Sequence, residues 1–227
     1  MVLTMKKAVL FILFISMIII QLMSFFMTFK VKEVSSLINN IIFIDPGHGG
    51  KDNGTHYENV LEDELNLKLA INLYELILND GGYCYLTRNG DYDLSYAYSK
   101  NHKLDDLNKR IEYIQKVKST LFVSLHLNYY PSNNVNGLQV FYQQSNENSK
   151  YLASIMQKIL NNENVHKKKI KKGDFYLLNN CQVTGILIEY GFLSSEYDRK
   201  KLLDDKYLLK LAKLIKNGIN EYLKNYC

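Results

Sequence analysis

A chain of 227 residues with 47 % hydrophobic and 22 % charged residues is too apolar for a disordered segment, shows no internal repeat, and matches one folded domain with a short extension. Its net charge of +5 falls to +3 once residues 1–29, with Lys6 and Lys7, are set aside, which is not the basic profile of a nucleic-acid binder. Cys84, Cys181 and Cys227 include no CxxC pair and predict no disulfide framework.

Residues 8–29 (AVLFILFISMIIIQLMSFFMTF) carry no charge, follow Lys6 and Lys7, and are long enough as a helix to cross about 30 Å of hydrocarbon. No Ala-x-Ala site stands near the end of this run, which favours an uncleaved signal anchor over a cleaved signal peptide. The expected layout is a transmembrane segment over 1–30, a short linker over 31–40, and one exported domain over 41–227. From Ile41 onward short apolar runs alternate with amphipathic ones: IIFID, LEDELNLKLAINLYELI, YCYLT, LDDLNKRIEYIQKV and TLFVSLH. LQVFYQQ, a helix from about Glu147 to Leu160, FYLLN, GILIEYGF and a closing helix from about Lys206 to Leu223 follow. This rhythm predicts an α/β fold, an open twisted, mostly parallel sheet with helices on both faces. The cluster HKKKIKK (His166 to Lys172) reads as a solvated strand or turn, with contact to anionic polymers as its functional alternative.

Ligands of open α/β sheets gather beyond the carboxyl ends of the strands, and three polar residues fall at such ends. His48 sits in the turn DPGHGG, where flanking glycines bring an imidazole into a cleft without steric cost. His126 ends TLFVSLH and shares a strand face with Ser124 and Asn128. Glu189 ends GILIE, where an unpaired buried carboxylate would cost several kcal/mol, so it has either a function or a partner such as Arg88 or Arg110. On the helix after His48, the stripe Leu61, Leu65, Leu69 and Leu76 places Glu62 on its inward edge and Asp63 away from it, leaving Glu58 and Glu64 as alternative acids. Two histidines and one carboxylate form a recurrent ligand set for catalytic zinc with one position open.

These residues lie within six ordered motifs: DPGHGGKDNG, EDELNL at Glu62, LTR at Leu86 to Arg88, DLNKRIE from Asp106, FVSLHLN around His126, and IEYGFLSS at Glu189. Over about Ile41 to Leu223 the chain resembles the zinc-dependent N-acetylmuramoyl-L-alanine amidases of the type-three catalytic domain. The resemblance implies that His48, Glu62 and His126 hold zinc and that Glu189 is the general base. It implies hydrolysis of the amide joining the lactyl group of N-acetylmuramic acid to L-alanine in peptidoglycan. It also implies that Asp45 orients a ligand histidine and that Asn128 contacts substrate, with Arg88 in a similar supporting place. GLQVFYQQSNENSKYLA and KKGDFYLLNNCQVTGILIEYGFLSS are similar to the germination-specific subgroup, which prepares spore-cortex peptidoglycan for muramic-δ-lactam formation. Amidases of this kind are often held inactive until a partner arrives, and the expected layout has no wall-binding module, so an activating lipoprotein or membrane partner is expected. Thr184-Gly185 and Asp63 depart from the family's usual Pro-Ala and lysine. The competing readings are a zinc peptidase cutting within the stem peptide and a non-catalytic wall-binding protein on the same fold.

Overall fold

The computed structural model describes residues 2–28 and 35–226, with side chains over 11–24 and 35–225. The chain divides into two units, the first ending at residue 34 and the second starting at residue 35. The first holds helix α1 (Val2–Thr28), whose side chains from Phe11 to Ser24 are all exposed. Among the described residues no helix is long and apolar enough to cross a membrane. The ends of the expected anchor, residues 8–10 and 25–29, lie outside those whose side chains are described.

The second unit runs β1 (Ile41–Pro46), β2 (His56–Tyr57), β3 (Val60–Leu61), α2 (Glu62–Asn79), β4 (Tyr83–Leu86), α3 (His102–Lys116) and β5 (Leu121–Asn128). It continues with β6 (Gln139–Tyr142), α4 (Glu147–Leu160), β7 (Lys171–Lys172), α5 (Tyr176–Asn180), β8 (Gly185–Phe192), α6 (Glu196–Leu202) and α7 (Asp205–Tyr226). Six strands form one sheet in the order β4-β1-β5-β8-β6-β7, and β2 pairs with β3 in a small hairpin. All neighbours in the large sheet run parallel except β6, which lies antiparallel to β8. The α/β fold with a mostly parallel sheet is therefore as the sequence predicts. The apolar run FYLLN forms the short helix α5, and the lysine cluster supplies the exposed strand β7.

Strand periodicity divides the sheet into two unequal faces. Ile42 and Ile44 of β1, Val123 and Leu125 of β5, and Ile186 and Ile188 of β8 enter the larger core, which α2, α4 and α7 cover. Helix α2 presents Leu65, Leu69, Leu73 and Ile77 to it at helical spacing. The alternate residues Phe43, Phe122 and Leu187 face a smaller cluster capped by α3 and α5. By the same period of two, Asp45, Ser124, His126 and Glu189 belong to this second face, nearer the strands' carboxyl ends. There α3 and α5 leave a cleft of about 380 Å³.

Candidate active site

The first ligand candidate is held by backbone rather than by packing. His48 has a left-handed backbone (φ 63°), a conformation costing a non-glycine residue about 1 kcal/mol or more unless its surroundings enforce it. Two buried arginines enforce it. Arg110 donates to the carbonyls of Pro46 (2.8 Å) and His48 (2.7 Å), and Arg88 to those of Pro46 (3.1 Å) and Gly47 (2.9 Å). Gly47 is required by close approach, because a Cβ there would stand 2.2 Å from the His126 ring. Gly54 (φ 67°) is required likewise, its Cβ position lying 2.6 Å from Glu62 Oε2.

Glu62 opens α2 and is the acid that points inward; Glu58 and Glu64 are exposed. Its Oε1 lies 3.1 Å from His126 Nδ1 and 3.3 Å from His48 Nε2, and accepts the Leu127 N–H at 2.9 Å. Its Oε2 accepts the Thr55 N–H at 2.8 Å. Burial disfavours this charge, but the two histidines outweigh it and hold the carboxyl well below the usual range. The imidazoles meet edge to face at 4.9 Å, and one donor atom from each of His48, Glu62 and His126 falls within 4.8 Å of the others. Bonds of about 2.0–2.2 Å to a tetrahedral zinc put its donors roughly 3.4 Å apart, so the three residues fit that ion.

His48 has a further partner that the sequence argument leaves without a role. Asp52 Oδ2 lies 2.9 Å from His48 Nδ1, within ion-pair distance but not aligned as a hydrogen bond. Burial lowers the His48 pKa, yet Asp52 and Glu62 together push it up to about 9. Asp52 is carried in the motif DPGHGGKDNG, and its place four residues after His48 is the signal that marks it.

Glu189 stands in register beside His126, on the inner strand of the sheet next to β5. Its strand continues to Phe192, so the residue lies within β8 rather than at its end. Burial is the main influence on its carboxyl and the charge of Glu62 adds to it, raising the pKa to about 7 against a hydrogen bond from Asn128. Asn128 Nδ2 donates to Glu189 Oε2, and Asn128 Oδ1 accepts the Tyr129 N–H at 2.7 Å, which fixes the amide's orientation. Asn128 thus touches Glu189, where the resemblance implied contact with substrate.

Four further readings are corrected. Neither arginine pairs with Glu189: Arg110 is bound to Asp45 (2.7 Å) and Asp106 (2.8 Å). Arg88, 1 % exposed, spends its guanidinium on the backbone carbonyls of Pro46, Gly47, Asp63 and Gly90 and cannot reach a substrate. Asp45 touches no histidine nitrogen; it accepts from Thr87 (2.7 Å), Ser124 (2.6 Å) and Arg110, and so acts on His48 through the arginine that holds its carbonyl. Asp63 is buried rather than outward, with Oδ1 lacking a hydrogen-bond partner.

The site joins three residues that could hold a metal ion to a buried carboxyl on one cleft. Comparison with known proteins places it. Residues 42–221 match the profile of a family described as N-acetylmuramoyl-L-alanine amidase. The germination-specific N-acetylmuramoyl-L-alanine amidase of Bacillus subtilis (strain 168) is 35 % identical over 191 residues, covering 82 % of this chain and 81 % of that protein. The structure of the CwlD amidase from Clostridioides difficile, in complex with the GerS lipoprotein, superposes with a TM-score of 0.79 at 34 % identity, covering 82 % of this chain and all of that one. The catalytic domain of CwlV, an amidase from Bacillus (Paenibacillus) polymyxa var. colistinus, gives a TM-score of 0.72 at 28 % identity, covering 82 % of this chain and 98 % of that one. On this fold, this site and these matches, the chain belongs to the N-acetylmuramoyl-L-alanine amidase family.

Proposed function

We propose that this chain is a zinc-dependent amidase that cuts the bond between the lactyl group of N-acetylmuramic acid and the first alanine of the peptidoglycan stem, outside the cell membrane. The observation that carries the reading is the convergence of His48, Glu62 and His126 within 4.8 Å, on the cleft that Glu189 also lines. His48, Glu62 and His126 would hold the ion. When bound, zinc supplies Lewis acidity toward the scissile carbonyl and lowers the pKa of water. Asn128 occupies Oε2 of Glu189, which leaves Oε1 to take a proton from the attacking water and return it to the departing alanine nitrogen. Burial and the neighbouring charge of Glu62 raise the Glu189 carboxyl of the metal-free chain toward neutrality, the direction that suits a group that both takes and returns a proton. Asp52 holds His48 from the Nδ1 side and leaves Nε2 facing Glu62.

The uncharged run after Lys6 and Lys7 supports a membrane anchor with the domain on the exported side. The germination-specific relative supports spore cortex as the substrate and muramic-δ-lactam formation as the step served. A lipoprotein partner is supported by the complex in which the Clostridioides difficile relative was solved. The test is zinc content of the purified protein beside mass spectrometry of digested cortex peptidoglycan. One zinc per chain and released stems beginning with free L-alanine, the glycan intact, are expected. A new terminus inside the stem overturns the amidase reading. Full activity without any partner removes the lipoprotein.

A further inference from the structure

Helix α3 forms one wall of the cleft with a ridge at positions i, i+4 and i+7: Lys103 is exposed at the rim, Leu107 is half-buried, and Arg110 is buried at the floor. These two cations are the only lysine or arginine lining the cleft among the described residues. Arg110 is consumed by Asp45, Asp106 and two backbone carbonyls. Lys103 enters no hydrogen bond or ion pair, although its charge is felt by Asp52 beside His48. The acids nearest the wall are occupied in their turn. Asp106 accepts from Arg110 and from the Leu94 N–H, and Asp174 accepts from Asn179. With Arg110 taken up by Asp45 and Asp106, the exposed ammonium of Lys103 is the one cation at the mouth of the cleft, among the described residues, left to meet an anion on the ligand.

The chemistry of a muramoyl peptide decides which anion. N-acetylated sugars are neutral and the lactyl carboxyl is consumed in the scissile amide, so fixed negative charge near the bond lies on the peptide side alone. Resting on the amidase reading above, we propose that Lys103 is a specificity-determining residue that pairs with the first free carboxylate of the stem peptide. The peptide then runs along α3, and the glycan takes the other side of the metal centre.

The test uses the full zinc-loaded chain in detergent and two muramoyl peptides, differing only in whether the α-carboxylate of the second stem residue is free or amidated. Release of the alanine-terminated peptide gives kcat and KM for each. The wild type should favour the free carboxylate about tenfold in kcat/KM, chiefly through KM, the scale of one charge-assisted contact at a partly exposed site. Lys103→Gln should bring that ratio close to one, Lys103→Arg should restore most of it, and Lys103→Glu should invert it, with zinc content equal in all. A wild type that does not discriminate, or a Lys103→Gln variant that keeps the wild-type ratio, overturns the proposal. If zinc is bound and neither substrate is cleaved, the amidase reading falls and takes this proposal with it.

Discussion

Both oxygens of Glu62 accept backbone N–H groups, Oε1 that of Leu127 and Oε2 that of Thr55, and a neutral amide cannot stand in its place without turning its own N–H toward one of them. Glu62→Gln is therefore expected to lower zinc occupancy at least tenfold, read as metal retained after dialysis against a weak chelator. Glu189→Gln should keep its zinc while turnover falls by about 10²–10⁴, the range of a lost general base. Loss of metal from that second variant would remove Glu189 from the role of base. Asp45 carries a different expectation. Burial opposes its charge, but Arg110, Ser124 and Thr87 hold its native pKa below the unfolded value of about 3.9. Its contribution to stability is then complete above the unfolded pKa and is lost as pH falls through the native one. Asp45→Asn should cost about 2–4 kcal/mol near pH 7, and the gap to wild type should close as thermal melts are taken below about pH 4. His48, His126 and Glu189 were legible in the sequence because an imidazole or carboxylate beside an aliphatic strand run has no packing use. Arg88 was not legible. Its role depends on four carbonyls from separate segments meeting one guanidinium, a convergence that only the fold creates.

At the scale of elements, the strands and long helices followed from apolar periodicity, and the predicted α4 agrees with the structure at both ends. Less was legible where pairing rather than pattern decides. The antiparallel placement of β6 against β8, the β2-β3 hairpin and α6 leave no periodic trace in segments of two to seven residues. The departure at Thr184-Gly185 has its reason in β8: a Cβ on Gly185 would sit 2.0 Å from the buried Phe122 ring on the neighbouring strand. Gly185→Ala is expected to destabilise by about 1–3 kcal/mol through overpacking. Combining it with Phe122→Leu should recover part of that loss, so that the two changes are less than additive in chemical denaturation. Strict additivity would show that the ring moves aside freely.

The whole chain divides into two compact units. Among the described residues the second has its own core, from Leu37 to Leu223 near the end of α7. A chain lacking residues 1–34 should melt within about 2 °C of the full chain and appear in the soluble fraction, whereas the full chain pellets with membranes. A full chain that stays soluble without detergent would remove the anchor. Within the catalytic unit, the alternation along β1, β5 and β8 ties fidelity of folding to fidelity of action. A one-residue slip of β5 would turn Val123 and Leu125 toward the cleft and drive Ser124 and His126 into the oily side. A conformer slipped in this way loses core and site together. For an amidase on this fold, quality control is written into the pleat.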